Sequence, residues 1–236
     1  MLQIRNMSIC RGSNYRIRLP ELALQPGEVV AITGASGCGK STLLEMIGLI
    51  LQPAGLDCYQ LAGVDSHLDV AALLQRDDQP ALADLRARQL GFVLQDGGLL
   101  PFLSVRQNIA LPRRLLGLPP ASDLLGEAIA RLGLETLLER APHQLSVGER
   151  QRVAFIRAIA HGPRLLLADE PTAALDPQQA RTLFGLMLEL ARAWQISTLV
   201  VSHDWALVEQ HGLRTLTGFS DDQAPMGGTV FDEQCR

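Results

Sequence analysis

The spacing of apolar and polar positions changes several times along the chain, and each change marks a different element. Glu28-Val-Val-Ala-Ile-Thr33 is a short apolar run of buried-strand type, and Lys40 to Leu51 then carries apolar residues at 43, 44, 47 and 51, a helical spacing. Ahead of them, residues 2 to 26 alternate loosely through Leu2, Ile4, Ile17, Leu19, Leu22 and Leu24 and close at Pro26-Gly27, which predicts two antiparallel strands. Gln52 to Gly55 reads as a turn, Leu56 to Ala62 as a strand and Gly63 to Asp65 as another turn. Residues 67 to 75 and 80 to 89 read as two short helices separated by Asp77-Asp-Gln-Pro80. Leu90 to Leu94 is an apolar strand that delivers Gln95 at its end.

From Asp96 to Pro120 the chain is rich in Leu, Pro and Gly, and Ser122 to Arg140 places apolar residues at 124, 125, 128, 129, 132, 134, 137 and 138. That stretch predicts a helical region inserted into the rest. A polar loop, Leu145-Ser-Val-Gly-Glu149, precedes a largely buried helix over Arg150 to His161, which Pro163 stops. Leu165-Leu-Leu-Ala168 is a strand ending in Asp169-Glu170, Thr172 to Asp176 a turn, Gln178 to Trp194 a helix, and Ile196 to Val201 a β-branched strand ending at Ser202-His203-Asp204. No further strand stands out after His203, and Asp221 to Arg236, polar with Pro and Gly, is expected to be a mobile tail.

Strands that alternate with helices in this way predict an α/β fold with a mostly parallel sheet, an N-terminal antiparallel β subdomain and an inserted α-helical subdomain. The expected organisation is one domain over 1–236. Residues 1–95 and 163–220 form its α/β core, 96–162 the helical subdomain and 221–236 the tail.

Composition narrows the picture. A chain of 236 residues with 47% hydrophobic and 19% charged residues has room for one such domain. Net charge is −4, with basic residues scattered rather than gathered, so no electrostatic footprint for nucleic acid is present. The N-terminus lacks a basic segment followed by an apolar one, and no apolar run approaches the roughly 20 residues that span a bilayer. A cytosolic chain is expected unless a partner holds it at a membrane. Cys10, Cys38, Cys58 and Cys235 have neither the number nor the spacing of a disulfide framework or zinc site and read as thiols.

The chemistry centres on Gly34-Ala35-Ser36-Gly37-Cys38-Gly39-Lys40-Ser41-Thr42, which meets the pattern G-x-x-x-x-G-K-[ST] at every fixed position and stands between a strand and a helix. Glycines let backbone amides close around phosphate oxygens, and the helix that follows turns its positive end toward them. Lys40 is expected to reach the β- and γ-phosphates of ATP, and the Ser41 hydroxyl to ligate Mg²⁺. A thiol at Cys38, inside this loop, is expected to block nucleotide when alkylated or oxidised.

A strand that ends in two carboxylates needs a charge partner, because an unpaired buried carboxylate is costly. Mg²⁺ supplies one, with Asp169 tied to the ion and Glu170 placed to polarise the attacking water. In a parallel sheet, ligands gather beyond the carboxyl ends of the strands, which draws Thr33, Gln95, Asp169 and His203 to one rim and sets His203 to contact the γ-phosphate. The loop at 145–149, again at a helix N-terminus, is a second potential phosphate site.

Together, the P-loop at 34–42, Gln95, Leu145-Ser-Val-Gly-Glu149, Asp169-Glu170, Ala174-Leu175-Asp176 and His203 resemble the ATP-binding-cassette nucleotide-binding domain over residues 1 to about 215. The resemblance implies a P-loop NTPase of RecA-like fold that hydrolyses ATP as a head-to-tail dimer of cassettes. Ser146 and Gly148 of one copy would cap the nucleotide held by the other. It implies that Gln95 links the γ-phosphate to the helical subdomain and contacts the metal, that Asp176 couples the two sites, and that a groove near Gln95 receives a helix from an integral membrane permease on a separate chain. The expected location is therefore the cytoplasmic face of the inner membrane. Leu90-Gly-Phe-Val-Leu-Gln95, Leu99-Leu-Pro101, Val105-x-x-Asn108-Ile-Ala-Leu-Pro112 and Glu149 resemble the lipoprotein-release and macrolide-export branch.

Three departures from the family pattern stand out. Val147 occupies a position usually held by glycine, and a β-branched residue resists positive φ. Arg11 falls where an aromatic usually stacks on adenine, with Tyr15 four residues later. The usual strand and Gly-Arg turn after His203 are not evident. A soluble cassette acting on ribosome or DNA is the alternative reading, and a small-molecule kinase or a non-hydrolysing module is a third.

Overall fold

The computed structural model describes every residue except 13–14, 63–66, 222–223, 225–226 and 234–236. The turn expected at Gly63 to Asp65, and Cys235, therefore lie outside the described residues. Strands are β1 (Leu2–Arg11), β2 (Tyr15–Leu24), β3 (Val29–Thr33), β4 (Cys58–Ala62), β5 (His67–Asp69), β6 (Leu90–Val93), β7 (Leu165–Asp169), β8 (Ser197–Val201), β9 (Arg214–Ser220) and β10 (Gly228–Glu233). Helices are α1 (Lys40–Ile47), α2 (Val70–Gln75), α3 (Gln79–Gln89), α4 (Val105–Leu115), α5 (Asp123–Arg131), α6 (Val147–Ile159), α7 (Pro177–Ala193) and α8 (Trp205–Gln210).

The strands form one sheet in the order β5-β4-β1-β2-β10-β9-β3-β8-β7-β6. Its β6, β7, β8, β3 and β9 run parallel, while β1 pairs antiparallel with both β2 and β4, and β4 with β5. The α/β class and the N-terminal antiparallel part are as the residue pattern predicts. Strands β3 and β8 are buried at every position, as parallel strands covered on both faces must be.

Alternation still operates inside those continuous apolar runs. Val30, Ile32, Leu165, Leu167, Leu199 and Val201 pack on the face with Leu43, Leu44 and Ile47 of α1. Val29, Ala31, Leu166, Ala168 and Val200 face the other way, onto Phe155 and Ile159 of α6 and Phe184 and Leu188 of α7. Each strand thus holds both layers, and register decides which side chain joins which.

Several boundaries differ from those expected. The helix expected over 67–75 begins as strand: His67–Asp69 pairs with β4, and Asp69 then caps α2 by accepting from Ala72 N–H at 3.0 Å. Helix α1 ends at Ile47, four residues short of Leu51, with Gly48 as its C-cap. In the inserted region α4 covers 105–115 and α5 covers 123–131, with a single turn over Glu135–Leu137. Helix α6 starts at Val147 rather than Arg150, because the Ser146 hydroxyl accepts from Glu149 N–H and the Glu149 carboxylate accepts from Ser146 N–H, a capping box.

The largest correction concerns the end of the chain. Arg214–Ser220 is a strand beside β3, and Gly228–Glu233, expected in a mobile tail, pairs antiparallel with β9 and parallel with β2. Phe231 is fully buried there. A six-residue strand following Pro and Gly has too short an apolar run to stand out in sequence, and its place comes from the two edges it bridges. Arg214 fastens the junction, with Glu28 at 3.0 Å and Glu233 at 2.8 Å.

Phe231→Ala is expected to cost about 3–5 kcal/mol, the range for emptying an aromatic site in a core. Urea unfolding measures it, and a loss below about 1 kcal/mol would show that β10 is not part of the core.

Candidate functional site

The loop between β3 and α1 is shaped by residues that a side chain would disrupt. Gly39 has φ +98°, and a Cβ on it would lie 2.5 Å from Ile17 Cδ1, so β2 presses directly on the start of α1. Gly34 has φ +139°, and its Cβ would lie 3.0 Å from Cys38 Sγ. Only glycine meets both demands, an uncommon backbone conformation and a close neighbour. The Cys38 thiol is 9% exposed and packed between Gly34 and Gly218. The fold thus limits access to the thiol expected to block nucleotide when alkylated or oxidised, and Cys38 offers the loop its backbone.

Lys40 is 5% exposed, and its ammonium donates to the carbonyls of Gly34 at 3.1 Å and Ala35 at 2.9 Å. The cation is thereby held over the loop's own backbone. Ala35, Ser36, Gly37 and Ser41 are exposed and Thr42 is half-buried.

Parallel register brings the other candidates level. Ile32 pairs with Val201, Val201 with Asp169, and Ala168 with Val93, so the ends of β3, β8, β7 and β6 share one edge. At that edge the Glu170 carboxylate meets His203 Nε2 at 2.8 Å. Glu170 takes φ +47° while its N–H still bonds Val201 O at 3.2 Å, a strained conformation at the point where the strand turns away. A cavity of about 440 Å³ adjoins the pair, lined also by Thr172, Ser202, Asp204 and Trp205. Thr33 does not open onto this rim: it is buried, its hydroxyl 2.9 Å from that of Thr217 on β9.

Asp169 Oδ1 is buried with no hydrogen-bond partner. A buried acceptor without a donor is costly, and cation ligation relieves it. Among the described residues no group of three or more His, Cys, Asp or Glu could hold a metal alone. One carboxylate, the Ser41 hydroxyl and a triphosphate's oxygens fit Mg²⁺, which is commonly bound through a carboxylate or two plus substrate phosphates.

Gln95, just past β6, is exposed, and its carbonyl accepts from Gln151 Nε2 of α6 at 2.7 Å. Arg157, a further turn and a half along α6, donates to the carbonyls of Gly98 at 2.6 Å and Gly97 at 2.9 Å. Asn108, fully buried on α4, accepts from Leu100 N–H at 2.9 Å and donates to loop carbonyls including Leu103 O at 3.1 Å. The residue pattern did not mark Gln151 or Arg157, and Asn108 stood out only as part of the stretch from Val105 to Pro112. Polar side chains on the buried faces of apolar helices were the available signal.

At the start of α6, Ser146 is the cap and Val147 the first helical residue, outside the positive-φ set. The expected backbone conflict at Val147 is absent, because a helical position suits a β-branched residue where a left-handed one would not. Its side chain is 40% exposed. Hydrogen bonds from Ser146 hold the Glu149 carboxyl below the usual carboxylate range. Gly148 is buried, where a Cβ would lie 2.7 Å from Gln179 Oε1 of α7. Asp176 caps α7, accepting from Gln178 and Gln179 N–H at 3.0 Å each. Among the described residues no hydrogen bond joins Ser146 or Gly148 to the loop at 34–42. Arg11 lies exposed at the end of β1, opposite Tyr15.

Comparison with known proteins agrees with this arrangement. The profile of the family described as ABC transporter matches residues 18–173. The chain is 41% identical over 193 residues to the lipoprotein-releasing system ATP-binding protein LolD 1 of Rhodospirillum rubrum, covering 78% of each chain. It is 42% identical to LolD of Idiomarina loihiensis, covering 80% of each. The macrolide export ATP-binding/permease protein MacB 1 of Aeromonas hydrophila is 43% identical across 80% of this chain, which spans 28% of that longer protein. Among solved structures, the dimeric MJ0796 bacterial ABC transporter cassette superposes with TM-score 0.74 at 30% identity, covering 92% of this chain and 94% of that one. A post-hydrolysis MJ0796 dimer bound to ADP and phosphate superposes with TM-score 0.71 at 29% identity, with the same coverage.

Asp169→Asn is expected to remove a tenfold or larger share of the Mg²⁺-dependent gain in nucleotide affinity, the scale on which metal sites respond to loss of a partner. Calorimetry with Mg²⁺ and with chelator separates this from a general loss of binding, which would instead lower affinity in both.

Proposed function

The chain belongs to the ABC transporter family as an ATP-hydrolysing cassette, and on that premise we propose that it drives a membrane transporter of the lipoprotein-release and macrolide-export kind. ATP is converted to ADP and phosphate. No helix among the described residues is long and apolar enough to cross a membrane. The proposed partner is an integral permease subunit, which holds the cassette at the cytoplasmic face of the inner membrane. The names of the most similar relatives support this and favour it over a cassette acting on ribosome or DNA.

The observation that carries the reading is the meeting of Glu170 and His203 at the strand ends beside Asp169, with the phosphate loop leaving the same sheet edge. In this proposal Lys40 leaves the carbonyls of Gly34 and Ala35 for the β- and γ-phosphates, exchanging two neutral acceptors for charged ones. Backbone amides of Ala35 to Thr42 enclose the phosphates. Asp169, Ser41 and Gln95 hold Mg²⁺, which when bound neutralises charge on the triphosphate. Glu170 accepts a hydrogen bond from the attacking water, and His203 fixes the carboxylate and reaches the γ-phosphate.

Ser146 and Gly148 take part across a dimer of cassettes, capping the nucleotide of the second copy, and Asp176 links the two sites. The MJ0796 dimers support this arrangement. Residues 96–162 act as the helical subdomain. Within them, Gln151 and Arg157 tie α6 to the backbone of Gln95, Gly97 and Gly98, so a shift at the γ-phosphate moves the capping helix and the segment facing the permease together.

Glu170→Gln is expected to lower turnover by about 10² or more, the scale for losing a positioned base, while ATP still binds. Light scattering on this variant should show a shift from monomer to dimer on adding Mg-ATP. Unchanged turnover would remove Glu170 from the mechanism. Binding without dimerisation would remove the homodimer.

A further inference from the structure

The inserted region holds a cavity that the nucleotide site does not use. Helices α4 and α5 both rest on α6, and between them lies a mostly apolar cavity of about 550 Å³ walled by Ile109, Leu125, Ile129 and Leu138. On α5 the lining residues Ser122, Leu125, Gly126 and Ile129 recur at i, i+3, i+4 and i+7, so they form one face. Facing helix stripes ordinarily close on each other by interdigitating side chains. Here one lining residue on each helix is small, Ala110 on α4 and Gly126 on α5.

Gly126 is not required by the fold. It lies inside α5, where glycine is destabilising relative to alanine. Its φ is not positive, and a Cβ on it would meet no atom within 4 Å. What the missing side chain preserves is the opening of the cavity. The two ends of that cavity differ in charge. Arg106 N–H bonds Leu138 O at 2.8 Å and its guanidinium pairs with Glu139 at 2.7 Å, so the cation at that end is satisfied. Glu135, three residues before Leu138, adds a negative charge there. At the other end Arg113 donates to Pro119 O and Ala121 O, folding the start of α5 back on the end of α4. Arg114 and Ser122 line that end, and among the described residues the Arg114 guanidinium has no hydrogen bond or ion pair. An apolar middle thus leads to one unpaired cation. From Arg106 to Arg114 the helix rises about 12 Å, the extended length of roughly ten bonds of a linear chain.

We propose that this cavity binds a linear acyl anion of about ten carbons, its head on Arg114 and Ser122 and its chain between α4 and α5. The Ser122 hydroxyl accepts from Leu125 N–H at 3.3 Å and still has its own proton to donate. The site stands apart from the nucleotide and does not depend on the transport reading. A ligand there bears on α4 from the side opposite Leu111 and Leu115, which line a separate groove with Phe92 and Arg157. Occupancy therefore presses on a helix that both grooves share.

The test is calorimetry of the full chain with sodium decanoate and sodium butanoate. Decanoate is expected to bind saturably, and butanoate roughly 100-fold or more weakly, because each methylene withdrawn from water contributes. Gly126→Leu, and Ala110→Leu from the facing wall, fill the cavity and are each expected to weaken decanoate binding by roughly tenfold or more. Arg114→Ala is expected to weaken it about tenfold, the low end for a hydrogen bond to a charged group. ADP affinity should stay within about twofold in all three, since distant sites without shared partners act independently. Gly126→Ala, which adds a Cβ in open space, is expected to raise the melting temperature by about 2–4 °C; a fall would make Gly126 a structural residue and overturn the proposal. Absence of saturable decanoate binding, equal binding of butanoate, or decanoate binding unchanged in both leucine variants overturns it as well. A nucleotide-free dimer seen by light scattering and lost in Gly126→Leu, with no decanoate uptake, would give this face to a second copy instead.

Discussion

Parallel pairing in register among β3, β8 and β7 is the constraint on which the rest depends. Each strand is buried on both faces, so each residue is committed to one of two apolar layers, and a slip of one position would exchange the layers. Because register is held this firmly, the residues just beyond the paired segment are placed with equal firmness. Glu170 and His203 follow different strands, 33 positions apart in the chain, yet their side chains meet at 2.8 Å. Neither strand end could achieve this alone.

Helix α6 is the second organiser. Its apolar residues pack on β6 and α7, which fixes the helix to the core. Its polar residues then have to be satisfied within that interface, and Gln151 and Arg157 find their acceptors in the backbone of the segment after β6. Burial weakens the hold of Arg157 on its proton, the cost of keeping a guanidinium out of water, and carbonyl acceptors offset it. A loop held through its own carbonyls moves with the helix that holds it, so the segment after β6 and helix α6 are coupled by hydrogen bonding.

Much of the site was legible because its chemistry requires particular residues at fixed spacing. Phosphate binding needs glycines and a lysine within one short loop, and the residues from Gly34 to Thr42 carry that requirement on their face. The Asp169-Glu170 pair was legible for a related reason, since two acids at the end of an apolar run are too costly to be incidental. What stayed hidden were groups whose role depends on a partner distant in sequence. Gln151 and Arg157 look like polar interruptions of an apolar helix until the backbone they bind is beside them. Val147 looked like a conflict until the capping box placed it inside the helix.

Local physics therefore determined the phosphate loop, the buried strands, most helices and the α/β class, because each is written in neighbouring residues at a period of two or 3.6. Only the tertiary structure decided where β10 goes, which way the Cys38 thiol points, how Glu170 and His203 meet, and that Tyr15 rests on Thr229. The physical reason is the same in each case. A six-residue strand, a side-chain direction or a contact between residues 214 positions apart has too little local free energy to declare itself, and it is selected by surfaces that the rest of the fold has already built.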